Sequence, residues 1–138
     1  MIFDRAASKK FGKRRPFLYF ERQVLRITNA TKCKTVAERA GMAKTTLDRM
    51  KGLLGRDSLQ EGEGLVISPC TSIHTFWMRF AIDAVFFDRK MRVVSVYKGL
   101  KPFRASSWHP WAAGVIEVPS GTAGKAGIEA GDQLSFEG

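Results

Sequence analysis

Residues 82–97, IDAVFFDRKMRVVSVY, contain two apolar, β-branched runs separated by a short polar link. The first run, residues 82–87, and the second, residues 91–97, have the length and composition of β-strands. The three residues between them are few enough to join two neighbouring antiparallel strands as a hairpin. This stretch therefore predicts an antiparallel β-sheet.

Further strand-like runs occur on both sides of this hairpin. They lie at residues 23–28, 64–67, 114–118 and 134–136. Pro69 and Pro119 end two of them, because proline cannot donate a backbone hydrogen bond. Short strands with frequent turn signals indicate a mainly β fold, an antiparallel β-sandwich that is jelly-roll-like or barrel-like.

One short α-helix is predicted near residues 46–54. Thr45, with Asp48 three residues later, resembles a capping box, and apolar residues follow at helical spacing. Gly55 is a typical C-terminal stop. A single helical turn is also expected at residues 122–126.

Residues 34–42 admit two interpretations. Read as helical, this stretch imitates the start of a DNA-binding helix-turn-helix, with Gly41 at the turn and Thr45 opening the recognition helix. That motif needs packing helices on both sides, whereas strand-like sequence precedes it and glycine-rich sequence follows. Arg39 also falls where the first helix should bury an apolar side chain. The strand interpretation is therefore favoured.

The positive charge of the chain is concentrated near its N-terminus. A chain of 138 residues is the usual size of one domain. We therefore expect a single β domain at residues 23–138, preceded by a basic N-terminal arm at residues 1–22. Residues 1–56 hold fifteen Lys/Arg against four Asp/Glu, whereas residues 57–138 hold eight against nine. The densest run consists of Arg5, Lys9, Lys10, Lys13, Arg14 and Arg15. Such an arm attracts nucleic-acid phosphates or anionic lipid weakly and without reading sequence, but a poorly ordered tail that aids solubility is favoured.

The chain shows no targeting or membrane-spanning signal. No apolar run approaches the ~18 residues of a membrane span. The apolar stretch at residues 17–20 is shorter than the ~7–15 residues of an export signal, so a cytoplasmic location is expected. Cys33 and Cys70 fit free thiols in a reducing compartment as well as they fit one disulfide.

Seven short segments of the chain together resemble a known family. They are residues 52–56 (GLLGR), 64–65 (GL), 76–78 (FWM), 82–83 (ID) and 117–121 (EVPSG), with the closing pairs 127–128 (GI) and 131–132 (GD). In this order they are similar to the domain-of-unknown-function family number 192, a mainly bacterial and archaeal family, over residues 24–136. The resemblance implies a small β-sandwich or jelly-roll-like domain with one helix, and it implies no established activity. Many members look exported, in contrast to the location expected here.

Residues 70–79, CTSIHTFWMR, hold the densest group of polar and aromatic side chains. In an extended conformation His74, Phe76 and Met78 would share one face. A β-domain would bring one ligand-binding set to a concave surface: Arg56, His74, Trp77, Arg79, Asp83 and Glu117. An apolar pocket with a few polar groups is typical of a small-ligand site.

Structural roles compete with binding at each of these positions. Trp77 is more often a core residue than the floor of a pocket. Asp83 more often orders a backbone turn than transfers a proton. Glu117 in an apolar strand needs a partner, for which Arg56 or Arg79 is available.

Three functions remain open on the sequence alone. The leading hypothesis is a small non-enzymatic binding or interaction domain for a small molecule or a protein. The second is an unrecognised hydrolase or transferase that uses His74 with Asp83 or Glu117. The third is nonspecific nucleic-acid binding through the arm. No residue spacing indicates a metal and no motif indicates a cofactor, and an enzyme is the less expected class.

Overall fold

The computed structural model describes residues 24–43, 53 and 55–138. The basic arm predicted at residues 1–22 lies outside the described residues, and so does the helix predicted near residues 46–54, apart from Leu53. Within the described part, no helix is long and apolar enough to cross a membrane.

Seven strands and one short helix make up the described part of the chain. In order they are β1 (Leu25–Asn29), β2 (Lys34–Ala43), β3 (Glu63–Ile67), β4 (Ile82–Phe87), β5 (Val93–Leu100), β6 (Gly114–Pro119), α1 (Thr122–Lys125) and β7 (Leu134–Glu137). Each predicted strand is present, and α1 confirms the helical turn expected at residues 122–126. The mainly β class is confirmed.

Residues 34–42 form most of β2, so the helix-turn-helix interpretation is wrong for them. β2 pairs antiparallel with β1, where Ile27 faces Ala37, and parallel with β3, where Gly41 faces Leu65. Hydrogen bonds to strands on both sides fix its backbone in an extended conformation. The small and β-branched side chains of this stretch therefore belong to a β-strand inside the sheet and not to a helix.

The strands form one sheet in the order β5-β4-β6-β3-β2-β1-β7. The sheet curls into a half-barrel. Its two edge strands are β5 and β7, and the segments at their starts are hydrogen-bonded to each other. The N–H of Val93 donates to the carbonyl of Asp132 (2.9 Å), and the N–H of Leu134 donates to that of Met91 (2.8 Å). The barrel-like prediction is confirmed, with one correction to its antiparallel character. β2 and β3 run parallel, because residues 44–62 give the chain enough length for a crossover.

Both faces of the sheet are covered, which explains why β4 is apolar along nearly its whole length. On one face, called here the helix face, Val85 and Val118 pack in one cluster with Ala123 of α1. On the opposite face, called here the loop face, Ala84 and Phe86 pack with loop residues such as Met78. Successive residues of β4 therefore enter different cores.

The packing around β6 leaves no room for a side chain at Gly114. A Cβ built on Gly114 would lie 2.7 Å from the ring of Phe87 and 2.8 Å from the carbonyl oxygen of Ile67. We expect Gly114→Ala to lower the free energy of unfolding by about 1–3 kcal/mol because of this overpacking. Urea denaturation measures the change.

The matched control is Gly124→Ala. Nothing lies within 4 Å of a Cβ at Gly124, which is part of α1. This change should leave the free energy of unfolding unaltered or raise it by up to about 1 kcal/mol. Wild-type stability of Gly114→Ala would contradict the packing described for β6.

Candidate functional site

Two loops, residues 70–80 and residues 101–111, pair with each other on the loop face of the sheet. The N–H of Thr75 donates to the carbonyl of Arg104 (2.8 Å), and three further backbone hydrogen bonds join the loops. This ladder holds two irregular segments side by side. The second loop is the proline- and serine-containing stretch that follows β5.

Thr75 is the residue that ties the two loops together. It is fully buried, and its hydroxyl donates to the carbonyl of Lys101 (2.6 Å) while accepting the N–H of Arg104 (2.9 Å). Its own carbonyl accepts the N–H groups of Met78 and Phe103, both at 3.1 Å. One side chain and its peptide groups thus fix the path of both loops.

Large aromatic side chains project from these loops into solvent. We call them the aromatic surface: Phe76, Trp77, Phe103, Trp108 and Trp111. Trp77 is 72% exposed and Trp111 is 80% exposed. The ring centroids of Trp77 and Phe103 are 5.6 Å apart in an edge-to-face arrangement, and those of Phe76 and Phe103 are 6.3 Å apart. The three tryptophans of the chain all belong to this surface.

Two residues of the aromatic surface have left-handed backbone conformations. Trp77 has a φ of 72° and Phe103 a φ of 63°. Bulky side chains rarely adopt this region, which costs roughly 1 kcal/mol or more at each position. Trp77 is a central residue of the turn that Met78 closes by donating to Thr75. The turn therefore directs Trp77 outward and returns Met78 to the core.

The charge around the aromatic surface is positive. Residues 70–80 and 101–111 contain Arg79, Lys101 and Arg104 and no Asp or Glu. Arg79 is paired with Asp57 at 2.6 Å. The side chains of Lys101 and Arg104 are exposed and form no ion pair with any residue that the structure describes.

Three of the predicted site residues lie in or beside the aromatic surface. His74 is exposed, its ring centroid is 5.1 Å from that of Phe76, and its Nδ1 accepts the N–H of Phe76 at 3.3 Å. Trp77 and Arg79 are also exposed. The expectation that Trp77 belongs to the core is wrong, because its turn places it outside.

Asp83 lies on the helix face, opposite Val118 in the sheet. It is fully buried, and its carboxylate accepts three backbone N–H groups, from Gly99 (2.7 Å), Gly121 (3.0 Å) and Ala123 (2.8 Å). These bonds tie β4 to β5 and to the start of α1. The carboxylate is thus occupied in ordering backbone.

Glu117 lies on the loop face, beside Leu65 and Ala84 of the neighbouring strands. The predicted pairing of Glu117 with an arginine is not found, since Arg56 contacts Glu63 at 3.2 Å and Arg79 contacts Asp57. Burial in this apolar setting raises the pKa of Glu117 to about 7.

The six predicted residues therefore do not share one concave surface. Asp83 and Glu117 occupy opposite faces of the sheet, because Glu117 pairs with Ala84, the residue after Asp83, and successive residues of a strand point to opposite faces. Neither carboxyl group forms a hydrogen bond or an ion pair with His74. A cavity of about 290 Å³ opens elsewhere, between β2, Glu61 and Lys125, and none of the six lines it.

No group of three His, Cys, Asp or Glu side chains in the described part of the chain could hold a metal ion. Both histidines have other contacts. His109 Nε2 is 2.8 Å from the hydroxyl of Tyr97, and the His109 ring packs on Phe86. Cys33 lies in the turn after β1 and Cys70 at the start of the first loop, with no disulfide between them.

A family model described as "Uncharacterized ACR", DUF192, matches residues 19–136. The chain belongs to this family. A UPF0127 protein of Thermococcus sibiricus is 30% identical over 115 residues, which cover 80% of this chain and 74% of that protein. A UPF0127 protein of Thermococcus kodakarensis is 32% identical over 114 residues, 80% of this chain and 72% of that protein. The resemblance found in the sequence is thus confirmed.

Two solved structures share the DUF192 fold of this chain. A protein of unknown function from Novosphingobium aromaticivorans has a TM-score of 0.68 at 21% identity, covering 81% of this chain and 83% of its own. A putative transcription regulator from Sinorhizobium meliloti has a TM-score of 0.68 at 19% identity, covering 82% and 92%. At these identities the likeness concerns the fold alone.

Sequence reasoning missed most of the aromatic surface. Phe103, Trp108 and Trp111 lie in a loop that the prolines and serines of its sequence identified only as irregular. Three large aromatic residues in an irregular segment were the available signal, because such a segment rarely buries all of them. Nothing in the sequence marked Thr75, whose importance depends on contacts some 30 residues away.

The buried carboxyl of Glu117 gives the protein a pH-dependent stability. Its pKa is about 7 in the folded chain against an ordinary 4.5, so the folded state binds the proton more tightly. Stability should fall as the pH rises from about 4.5 to about 7, by roughly 3 kcal/mol from this group, and should then level off. Glu117→Gln should lack this fall and should be the more stable protein at pH 8.

The measurement is urea denaturation between pH 4 and 8. Glu137→Gln is the control, because Glu137 is exposed at the end of β7, and it should keep the wild-type pH profile. Parallel pH profiles for Glu117→Gln and the wild type would show that Glu117 is ionised in the folded protein at neutral pH.

Proposed function

We propose that this chain is a non-enzymatic binding domain whose contact surface is the aromatic surface. The observation that carries the proposal is the exposure of Trp77 and Phe103 in left-handed backbone conformations. Folding alone would favour glycine at both positions. Strain of this kind is typical of functional sites, where it is retained for what the side chains contact.

The size and arrangement of the exposed aromatic side chains also support binding. Phe76, Trp77 and Phe103 are neighbouring exposed rings, and an exposed apolar patch on a protein surface is often a site of interaction. The buried hydrogen bonds of Thr75 hold Phe103 and its neighbours in place before any partner arrives. A preorganised surface loses little conformational entropy on binding.

The enzymatic alternative has less geometric support. A general base must be within hydrogen-bond reach of its partner, directly or through one water. Asp83 is saturated by backbone N–H groups on the helix face, and Glu117 is enclosed by apolar strands. Neither supplies His74 with an orienting carboxylate.

The experiment uses two substitutions that remove the rings without strain. In Trp77→Gly/Phe103→Gly, glycine accepts both left-handed conformations, so the free energy of unfolding should stay unchanged or rise by up to about 1 kcal/mol. The matched control is Met91→Gly, because Met91 has a φ of 63° and is exposed on the hairpin between β4 and β5. This control removes an exposed apolar side chain from a residue that has the same left-handed backbone conformation but lies outside the two loops.

Three probes test the surface: a single-stranded oligothymidine, vesicles of phosphatidylcholine with phosphatidylserine, and a neutral glucan oligosaccharide. Tryptophan emission reports binding, since Trp108 and Trp111 remain in the double variant. We expect saturable binding of at least one probe, weakened about tenfold or more by the double variant and unaffected by Met91→Gly. No binding of any probe, or equal binding by the double variant, would refute the proposal.

A further inference from the structure

We infer that the ligand of the aromatic surface is single-stranded nucleic acid, bound by base stacking on the exposed rings and by phosphate contacts to Lys101 and Arg104. This inference rests on the proposed binding function and specifies its ligand class. It concerns the two loops and is separate from the basic arm at residues 1–22.

The rings and the charges of this surface suit a polyanion that carries flat groups. Phe103 meets Trp77 edge-to-face, with an interplanar angle of 77°, and both side chains remain more than half exposed. Proteins that bind single strands combine such exposed aromatic rings with positive charges that follow the phosphate backbone. The Arg104 guanidinium donates to the backbone carbonyl of Phe103 at 3.3 Å, so a positive charge lies next to the backbone of this residue.

Two unpaired cations distinguish this surface from a neutral apolar patch. Lys101 and Arg104 have no carboxylate partner among the described residues. They lie on either side of Phe103 in the sequence. The hydroxyl of Thr75 bonds to the backbone carbonyl of Lys101 and to the backbone N–H of Arg104, which fixes the spacing of these two residues along the loop. A phosphate near either residue would gain a charge-assisted contact without breaking an existing ion pair.

A membrane surface fits the two loops less well. Each large hydrophobic residue exposed in residues 70–80 and 101–111 is aromatic. The aliphatic Ile73 and Met78 pack into the core beneath. Tryptophan also anchors proteins at membrane interfaces, but insertion into lipid gains from aliphatic side chains as well. Base stacking requires rings, so a set of exposed side chains that is entirely aromatic favours stacking.

A neutral carbohydrate and a nucleic-acid duplex also fit less well. Residues 70–80 and 101–111 contain no Asp, Glu, Asn or Gln, so the carboxylate and amide groups that hydrogen-bond to sugar hydroxyls are missing there. A duplex hides the faces of its bases, and exposed rings then have nothing to stack on. Unpaired bases on a phosphodiester chain remain as the matching chemistry.

The experiment measures the affinity of the full-length protein for oligothymidine and oligouridine of about 10–15 nucleotides, for a duplex of equal length, and for the phosphatidylserine vesicles. Titrations at several salt concentrations separate the stacking contribution from the charge contribution. The oligothymidine and oligouridine arms distinguish DNA from RNA as the source of the single strand.

The two contributions should respond to different substitutions. Lys101→Gln/Arg104→Gln should reduce the slope of log affinity against log salt by roughly 1.4, since each phosphate contact to a single strand contributes about 0.7. Trp77→Gly/Phe103→Gly should lower the affinity by about tenfold or more at every salt concentration and leave the slope unchanged. Arg89→Gln/Lys90→Gln, on the β4–β5 hairpin outside the two loops, is the charge-matched control and should change neither quantity.

Bound single strands should also quench the tryptophan emission with little shift in wavelength. A duplex bound as tightly as the single strand, or an unchanged salt slope in the Lys101→Gln/Arg104→Gln variant, would overturn the inference. Binding to vesicles alone, with a blue shift that the double glycine variant abolishes, would overturn it and leave the proposed binding function standing. Binding of none of the probes would overturn both.

Discussion

The candidate site depends on one buried threonine. Thr75 offers a hydroxyl, an N–H and a carbonyl, and all three bond to the backbone of the two loops. These polar groups are shielded from water, so leaving any of them unsatisfied would cost about 1–3 kcal/mol. The loops are therefore held to one path, although neither contains a regular helix or strand.

The fixed path of the loops accounts for the exposed rings. Once Thr75 is anchored in the core, the turn that follows must bring Met78 back to the loop face. Trp77 then occupies a position that glycine would fill with less strain, and its ring faces solvent. The sheet supports this surface from below, while Asp83 and Glu117 lie within its two cores.

The fold was largely predictable from the sequence, and the site was not. The alternation of apolar and polar residues, together with turn residues, located the strands, such as Ile82–Phe87. Strand formation could be predicted because it is signalled by the local residue types. The parallel pairing of β2 with β3 escaped prediction, since it depends on the crossover between them. The exposure of Trp77 was not predicted either. Tryptophan is usually buried, and nothing in the sequence indicates that the backbone at this residue is left-handed. Of the predicted site residues, only those of the first loop lie at the surface identified by the structure.

Amide hydrogen exchange at Arg104, in the wild type and in Thr75→Val, tests this account most directly. Strong protection of the Arg104 amide is expected in the wild type, because this amide donates to the buried hydroxyl of Thr75 at 2.9 Å. In Thr75→Val that protection should be lost while the amides of β4 and β6 keep theirs. Exchange of Arg104 at the rate of an unstructured peptide in the wild type, or equal protection in both proteins, would contradict the anchoring of the loops by Thr75.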